Sequence, residues 1–514
     1  MVESGMGTLG PMLSAALAVT ANLFLPSVYD RRAADWRNGP IVYQIFVDRF
    51  ARSNLPFQLP PGGAMMKWDD LPVAGHLDEQ KGVYSHELQF WGGDLVGARA
   101  RLGYIRSLHA DAVYLTPIFK ALTNHRYDTQ DYFQVAPELG GHRALELFIK
   151  EAHNKEMRVI LDGVFNHVGR TSAIFKAAED PKSKWRDAFT FDPSLPYGYR
   201  AWANVKNLPA WNLDSQKAKN YLWSGENSVV KRYLREGVDG WRLDVAYDLG
   251  PHILHEITDA AHRTKPGSVV VGEISGYPAG WDNSVDGVFN FFALKAAHSL
   301  LLGDTDGPTV TAQLEDMVKD AGIDHLLQSW LLLDNHDTDR LASLEPDFTR
   351  RRLLEFLQFT LPGSPLIYYG SELGMTGVGD PGNRAPMRWD LAEKPNQERD
   401  WITTLAQHRI KHRALRVGDV RFLRSKNLLA FSRYTDQMRD LVIVIVNPLD
   451  RPVTESIACR SGSIMSWGEV HDGIGGGDYK VVNGLVEVQV APHGAMLLTP
   501  QEQVKGYSPT ARIP

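Results

Sequence analysis

The apolar residues of this chain gather in short runs, and several of these runs pass straight into polar residues with no turn signal between. In "SWLLLDNHDTDR" (329–340), Trp330 to Leu333 lead directly into Asp334-Asn335-His336-Asp337-Thr338-Asp339-Arg340. A buried strand that opens into solvent at its C-terminal end reads this way. Similar short apolar runs recur in "IVYQIFVDRF" (41–50), "DAVYLTPIF" (111–119), "RVILDGVFNHVG" (158–169), "GWRLDVAYD" (240–248), "VVVGEIS" (269–275), "VDGVFNF" (285–291) and "PLIYYGSE" (365–372). Amphipathic stretches such as "GHRALELFIKEAHNKE" (141–156) and "SVVKRYLREG" (228–237) precede several of them. Continuous apolar strands alternating with such helices predict a parallel sheet covered on both faces. Eight units in order predict an α/β fold, a (β/α)8 TIM barrel with its active site at the C-terminal strand ends. The interval between 275 and 285 is too short for an ordinary crossover helix.

Two segments break the alternation. Residues 168–227, rich in Pro, Asn, Trp and Tyr, read as a loop-rich subdomain inserted after the third strand. From residue 424 to 514 the pattern changes to "LLAFSRYT", "DLVIVIVNP", "GLVEVQV" and "GAMLLTP", which predicts a C-terminal antiparallel β-sandwich domain. The barrel then comprises 36–167 and 228–423, behind an N-terminal segment at 1–35. Within that segment, Pro11 to Ser27 has the apolar, small-residue content of a signal peptide core. Glu3 and the lack of Lys or Arg before it favour a packed segment, with secretion as the alternative.

Composition narrows the partners. A net charge of -6 over 514 residues leaves no basic footprint for nucleic acid. One cysteine, Cys459, excludes an internal disulfide. No stretch reads as a membrane span, and the expected compartment is the cytoplasm. The 13 Trp and 18 Tyr supply aromatic faces of the kind that suit sugar rings.

Four runs carry an acid near the expected open end: Asp162, Asp244, Glu273 and Asp337. Gathering four such groups on one face without a function would carry a substantial electrostatic cost. Glycosidic bond cleavage needs such a set, one acid to protonate the leaving oxygen and one carboxylate to attack or support the oxocarbenium ion. Arg242 stands two residues before Asp244, on the same strand face, where its charge would keep Asp244 ionised as a nucleophile. The apolar "VVVG" before Glu273 would raise its pKa toward that of a general acid. His167 and His336, each beside an Asn, could bind sugar hydroxyls.

These stretches resemble the short motifs of the α-amylase family, glycoside hydrolase family thirteen. "DGVFNH" is similar to its strand-three motif, "GWRLDVA" to the nucleophile motif, "VVGEIS" to the acid/base motif and "LLDNHD" to the third-carboxylate motif. The resemblance spans roughly residues 36 to 500. It implies Asp244 as nucleophile, Glu273 as general acid/base and Asp337 as the residue that grips and distorts the sugar. Finer matches, "YQIFVDRF", "FWGGDLVG", "NHRYDTQDYF" and "GDPGNRAPMRWD", are similar to the cyclomaltodextrinase, neopullulanase and maltogenic amylase group. They imply Tyr127 stacked on the sugar beside the cleaved bond with Asp128 nearby, and Asp380 and Arg384 on the non-reducing side.

The chain also departs from that group. About 35 residues precede the barrel, so the group's N-terminal β-domain has no counterpart, and the expectation is a monomer or a homodimer not paired through such a domain. Glu273-Ile274-Ser275-Gly276 stands where the group has Glu-Ile-Trp-His, and Tyr247-Asp248 where it has Asn-Glu. "NLPAWNLD" (207–214) places Trp211 where a smaller or charged residue is usual, as a further substrate contact. The mechanism requires no cofactor; the resemblance offers calcium at Asp94 or at Asn166. The expected function is a retaining α-glucoside hydrolase acting on short or cyclic α-glucans. A transglycosylase or isomerase using the same covalent intermediate is the alternative, and a non-catalytic glucan-binding protein stands behind both.

Overall fold

The computed structural model describes residues 26–461, 464 and 468–501, so the reading of Pro11 to Ser27 falls almost wholly outside the described residues. Strands β1 (Val42–Ile45), β2 (Ala112–Leu115), β3 (Arg158–Gly163), β4 (Gly240–Leu243), β5 (Val269–Gly272), β6 (Gly287–Asn290), β7 (Trp330–Leu332) and β8 (Ser364–Tyr368) form a closed parallel barrel. Each lies beside its neighbours in sequence, and β1 closes the ring on β8 with Val42 opposite Leu366 and Gln44 opposite Tyr368. All eight predicted runs supply these strands.

Side chains alternate between the barrel interior and the surrounding helices, as a two-residue repeat requires. Val42, Ala112, Tyr114, Ile160, Val269, Val271, Phe289, Trp330, Leu332 and Leu366 pack together inside. Their outward neighbours Tyr43, Val113, Leu161, Trp241, Val270 and Leu331 join the larger core against the helices. Stepping by two along the inward rows reaches Gln44, Asp162, Arg242 and Glu273 near the C-terminal strand ends. The same alternation that fills the core therefore delivers polar groups to one end.

Helix α1 (Gly141–Asn154) buries Ala144, Leu145, Phe148, Ile149 and Ala152, a helical-period stripe, against the barrel. Helix α2 (Val229–Arg235) leads into β4, and α3 (Ala246–Thr264) follows it. Among the described residues no helix lies between β5 and β6; Gly276, Pro278 and Gly280 break the connecting segment, which is too short for a crossover helix. After β6 come α4 (Phe291–Leu302), α5 (Gly307–Ala321) and α6 (Ile323–Gln328). Among the described residues no helix is long and apolar enough to cross a membrane.

Two excursions rise from the C-terminal rim. One, residues 51–94 between β1 and β2, pairs Leu77–Asp78 with Val83–Tyr84; strands of two residues leave no readable period, and the sequence reading did not anticipate this element. The other follows β3 and is held by isolated bridges that pair His167 with Ala210, Phe189 with Trp211 and Ala201 with Pro209.

The C-terminal strands are β9 (Asp419–Leu423), β10 (Leu429–Tyr434), β11 (Val442–Val446), β12 (Val453–Ala458), β13 (Glu469–Asp472), β14 (Asp478–Val482), β15 (Leu485–Val490) and β16 (Ala495–Pro500). They make one antiparallel sheet ordered β9-β10-β11-β16-β13-β14-β15-β12. Ile443 and Ile445 from one half share a core with Val453, Ile457, Val486 and Val488 from the other, so the two layers are two halves of a single curled sheet.

One buried arginine joins this sheet to a helix end of the barrel, and a second secures the same helix end from within the barrel. Helix α7 (Phe348–Thr360) ends with carbonyls that no later turn can satisfy. Arg433 on β10 donates to the Thr360 carbonyl at 2.8 Å and to the Gly418 carbonyl at 2.9 Å. Arg409, on helix α8 (Gln397–Lys411), donates to the Phe359 carbonyl at 2.8 Å and to that of Gly39 at 3.0 Å. Cations here also complement the helix dipole. Arg433→Ala leaves buried carbonyls unpaired and should lower stability by about 2–4 kcal/mol in urea unfolding. A loss within experimental error would show that the sheet docks without it.

Candidate active site

Arg242 sits at the centre of the rim, wholly buried. Its Nη1 lies 2.9 Å from Asp162 Oδ1 and 2.9 Å from Asp244 Oδ1, and its Nη2 lies 2.6 Å from Glu273 Oε1. One guanidinium thus binds carboxylates from β3, from the end of β4 and from the end of β5. Asp162 also accepts hydrogen bonds from Tyr114 at 2.5 Å and Tyr127 at 2.9 Å.

Asp244 leads into a strained turn. Val245 has φ +49, a left-handed conformation that a β-branched residue rarely adopts. The conformation aims the Val245 N–H at Glu273 Oε2, 3.0 Å away, so one turn fixes both carboxylates. Burial pushes the Asp244 carboxyl well above the usual range; Arg242 opposes this, while Glu273, Asp162 and Asp337 reinforce it. Arg242 favours the charged form of Asp244 as expected, but burial and the three neighbouring acids act against it. The apolar setting expected for Glu273 is also not found, since its two oxygens meet Arg242 and the Val245 N–H.

Asp337 stands across the cavity with its side chain 45% exposed. His336 Nε2 lies 2.9 Å from Asp337 Oδ2, and Arg384 Nη2 donates to Asp337 Oδ1 at 3.0 Å. Burial works against the charge of Asp337, yet His336, Arg384 and Arg242 together hold its carboxyl well below the usual range. His336 Nε2, facing a carboxylate, carries a ring N–H, and Nδ1 lies 2.7 Å from the Gln44 side-chain amide. That N–H faces Asp337 and the Tyr127 hydroxyl, 2.6 Å away, and the Tyr127 and His336 rings stack with centroids 5.5 Å apart. Arg384 also binds Asp380 at 2.9 Å.

Above these groups opens a cavity of about 820 Å3. Tyr127, His167, Asp244, Glu273, Asp337, Asp380 and Arg384 line it, and Tyr84, Tyr197, Trp202, Tyr247 and Phe291 supply aromatic walls. Residues 77–87 form one side and 202–208 the other, joined where Lys206 Nζ donates to the Glu79 carbonyl at 2.9 Å. His167 is buried with Nε2 unpaired, its ring stacked against Trp202 at 5.2 Å. An unpaired imidazole nitrogen on the cavity wall suits a sugar hydroxyl.

Other expected site residues lie elsewhere. Asp162, Arg242 and His336 are buried behind the wall and position the groups in front. Asp128 is fully buried; it accepts hydrogen bonds from Thr123 and from Asn207 at 3.0 Å, so it braces the loop that carries Tyr127 rather than touching substrate. Trp211 is 2% exposed and stacks on Phe189 at 4.5 Å within the core of the inserted subdomain, which corrects its reading as a substrate contact. Asp94 caps the helix Leu95–Ala100 through Gly97 N at 2.7 Å and binds Ser53 N at 2.9 Å. Both its oxygens face N–H donors, an arrangement unsuited to a cation. Asn166 lies next to His167, and among the described residues no group of three or more His, Cys, Asp or Glu is placed to hold a metal. The sequence reading missed Gln44, Tyr114 and Trp202. The first two had a signal, a lone polar side chain in an otherwise apolar strand.

A closed parallel barrel with acids converging on a buried arginine under an aromatic-walled cavity suits the cleavage of glycosidic bonds, the chemistry of a glycoside hydrolase. Residues 44–416 match the Alpha-amylase family, described as alpha amylase, catalytic domain. The chain is 32% identical over 450 residues to a cyclomaltodextrinase of a Bacillus species, covering 83% of this chain and 75% of that protein. It is 30% identical over 480 residues to neopullulanase 2 of Thermoactinomyces vulgaris, covering 90% and 78%. The solved ligand-free cyclic alpha-maltosyl-(1-->6)-maltose hydrolase of Arthrobacter globiformis matches with a TM-score of 0.76 and 27% identity, over 91% of this chain and 99% of that one. The chain belongs to the α-amylase family.

His167 carries a pH signature. Burial first, then His125, lowers its pKa to about 3 from an ordinary 6.5. Below about pH 6.5 the unfolded chain takes up a proton there that the folded chain refuses until about pH 3, so stability falls as pH drops through that window. His167→Gln should remove about 2 kcal/mol of the stability difference between pH 7 and pH 4.5, read from urea unfolding at both. An unchanged difference would mean that the imidazole titrates normally in the folded protein.

Proposed function

We propose that this protein is a retaining α-glucoside hydrolase acting on short or cyclic α-glucans. The observation that carries the reading is one guanidinium, Arg242, holding Asp244 by Nη1 and Glu273 by Nη2 beneath the cavity. Acids paired across so small a group suit the separation of about 5–5.5 Å typical of retaining enzymes.

Glu273 protonates the glycosidic oxygen as Asp244 attacks the anomeric carbon. Water, deprotonated by Glu273, then displaces Asp244 and leaves the α-configuration in the product. Attack requires Asp244 as the carboxylate, a form that burial opposes and Arg242 favours, with the transferred proton carried by Glu273. Asp337, held ionised by His336 and Arg384, grips hydroxyls of the sugar at the cleaved bond. Every step is carried by side chains of this chain. The relatives named for cyclomaltodextrin, pullulan and cyclic maltosyl-maltose cleavage support the substrate class. Trp211 is buried away from the cavity, whereas Ser275 lines it.

Time-resolved proton NMR with cyclomaltodextrin, maltotriose, pullulan, isomaltose-type oligosaccharides, trehalose and sucrose tests the reading. The first product expected is the α-anomer from cyclic or short α-glucans, and a β-anomer would overturn the role of Asp244. Asp244→Asn should lower kcat by roughly 10^4-fold or more, and Glu273→Gln by roughly 10^2–10^4-fold.

A further inference from the structure

The loop after β7 carries Asp337, and its backbone is held by the loop after β8. Asn383, in the short turn Gly382–Arg384, is wholly buried behind the cavity wall that Asp337, Thr338 and Arg384 form. Its side-chain nitrogen Nδ2 donates to the His336 carbonyl at 2.8 Å and to the Thr338 carbonyl at 2.8 Å. The residue between these two carbonyls is Asp337. Arg384, next in the chain, donates from Nε to the same His336 carbonyl at 2.8 Å, while its Nη2 meets the Asp337 carboxylate. The main chain of Asn383 is anchored in turn. Its N–H donates to the Gly379 carbonyl at 2.8 Å, and its carbonyl accepts from Arg340 Nε at 2.9 Å and from the Tyr368 hydroxyl at 3.3 Å.

Buried loop carbonyls need donors, so this pairing alone would be ordinary. Two features go further. Among the described residues Asn383 Oδ1 meets no donor, so one buried polar atom stays unsatisfied while both N–H groups serve these carbonyls. Turning the amide over would set Oδ1 against two carbonyl oxygens, which fixes its orientation. The second feature is convergence. The Asp337 side chain is 45% exposed, so its aim depends on its own backbone and on His336 and Arg384, and all three are tied to the carbonyls that Asn383 brackets.

We propose that Asn383 is a positioning residue for Asp337, holding the backbone on both sides of it so that the carboxylate meets the sugar at the cleaved bond. The proposal rests on the hydrolase reading above, in which Asp337 grips that sugar. Asn383 touches no substrate and acts through Asp337. A displacement of Asp337 by about 1 Å loosens the grip where the sugar is most distorted, so the loss falls on kcat and leaves KM nearly in place.

The test compares Asn383→Ala in the otherwise unmutated protein and in the Asp337→Asn variant, with 4-nitrophenyl α-maltoside as an activated substrate and urea unfolding as the check of folding. In the first background kcat should fall by about tenfold to a hundredfold, with KM changed by less than about threefold. In the second the same change should lower kcat by less than about threefold, because the carboxylate being aimed is already gone. Asn383→Ser returns one donor and should recover part of kcat; it replaces the alanine variant if that one does not fold. An unchanged kcat, equal losses in the two backgrounds, a loss confined to KM, or failure of both variants to fold overturns the positioning role and leaves the hydrolase reading intact. Failure of the unmutated protein to turn over either this substrate or α-glucans removes the hydrolase reading and the role of Asn383 with it.

Discussion

The site depends on one buried cation. Among the described residues, Arg242 alone touches Asp162, Asp244 and Glu273 together, and without it these acids would repel one another in a poorly solvated setting. The energetics run in both directions. A buried guanidinium needs several acceptors, and the carboxylates need a shared donor, so each makes the burial of the others tolerable. Asp162, which lies behind the wall, serves this balance and passes it on through Tyr114 and Tyr127. Across the cavity, His336 and Arg384 do for Asp337 what Arg242 does for the others. Two cationic centres face each other, and the sugar would pass between their acids.

Barrel packing and catalysis draw on the same rows of side chains. Inside the barrel, Ile160 is followed two residues later by Asp162, and Val271 by Glu273. The change from apolar to polar comes at the C-terminal ends of the strands, beneath the cavity. Val245 adds a local cost, a β-branched residue in a left-handed turn. The surrounding packing sustains that cost, and the result is a backbone N–H fixed on Glu273.

The barrel was readable because strands buried on both faces are continuous apolar runs, and because eight of them recur in order. The four acids were readable because they sit where those runs end. The sequence did not reveal which way a side chain turns beyond a strand. Asp128 follows Tyr127 directly, yet it points back into the loop it braces, and Trp211 turns into an aromatic core formed with Phe189, Tyr199 and Tyr221. Asp94 looked like a cation ligand and is a helix cap. The wall at 77–87 was missed because two-residue strands carry no period. Gln44 was overlooked for a different reason: its partner, His336, lies 292 residues away in the chain.

That last contact ties chemistry to the order of synthesis. Gln44 belongs to the first strand, which pairs with the eighth only after residue 368 has been made. Its amide holds the His336 ring, and Arg384, which completes the grip on Asp337, comes later still. Asp244 and Glu273 are both present in a chain barely half made, but the opposite wall cannot be set until the ring has closed. A nascent chain on the ribosome therefore carries these carboxylates before their opposite wall exists, and a complete site becomes a report that the barrel has sealed.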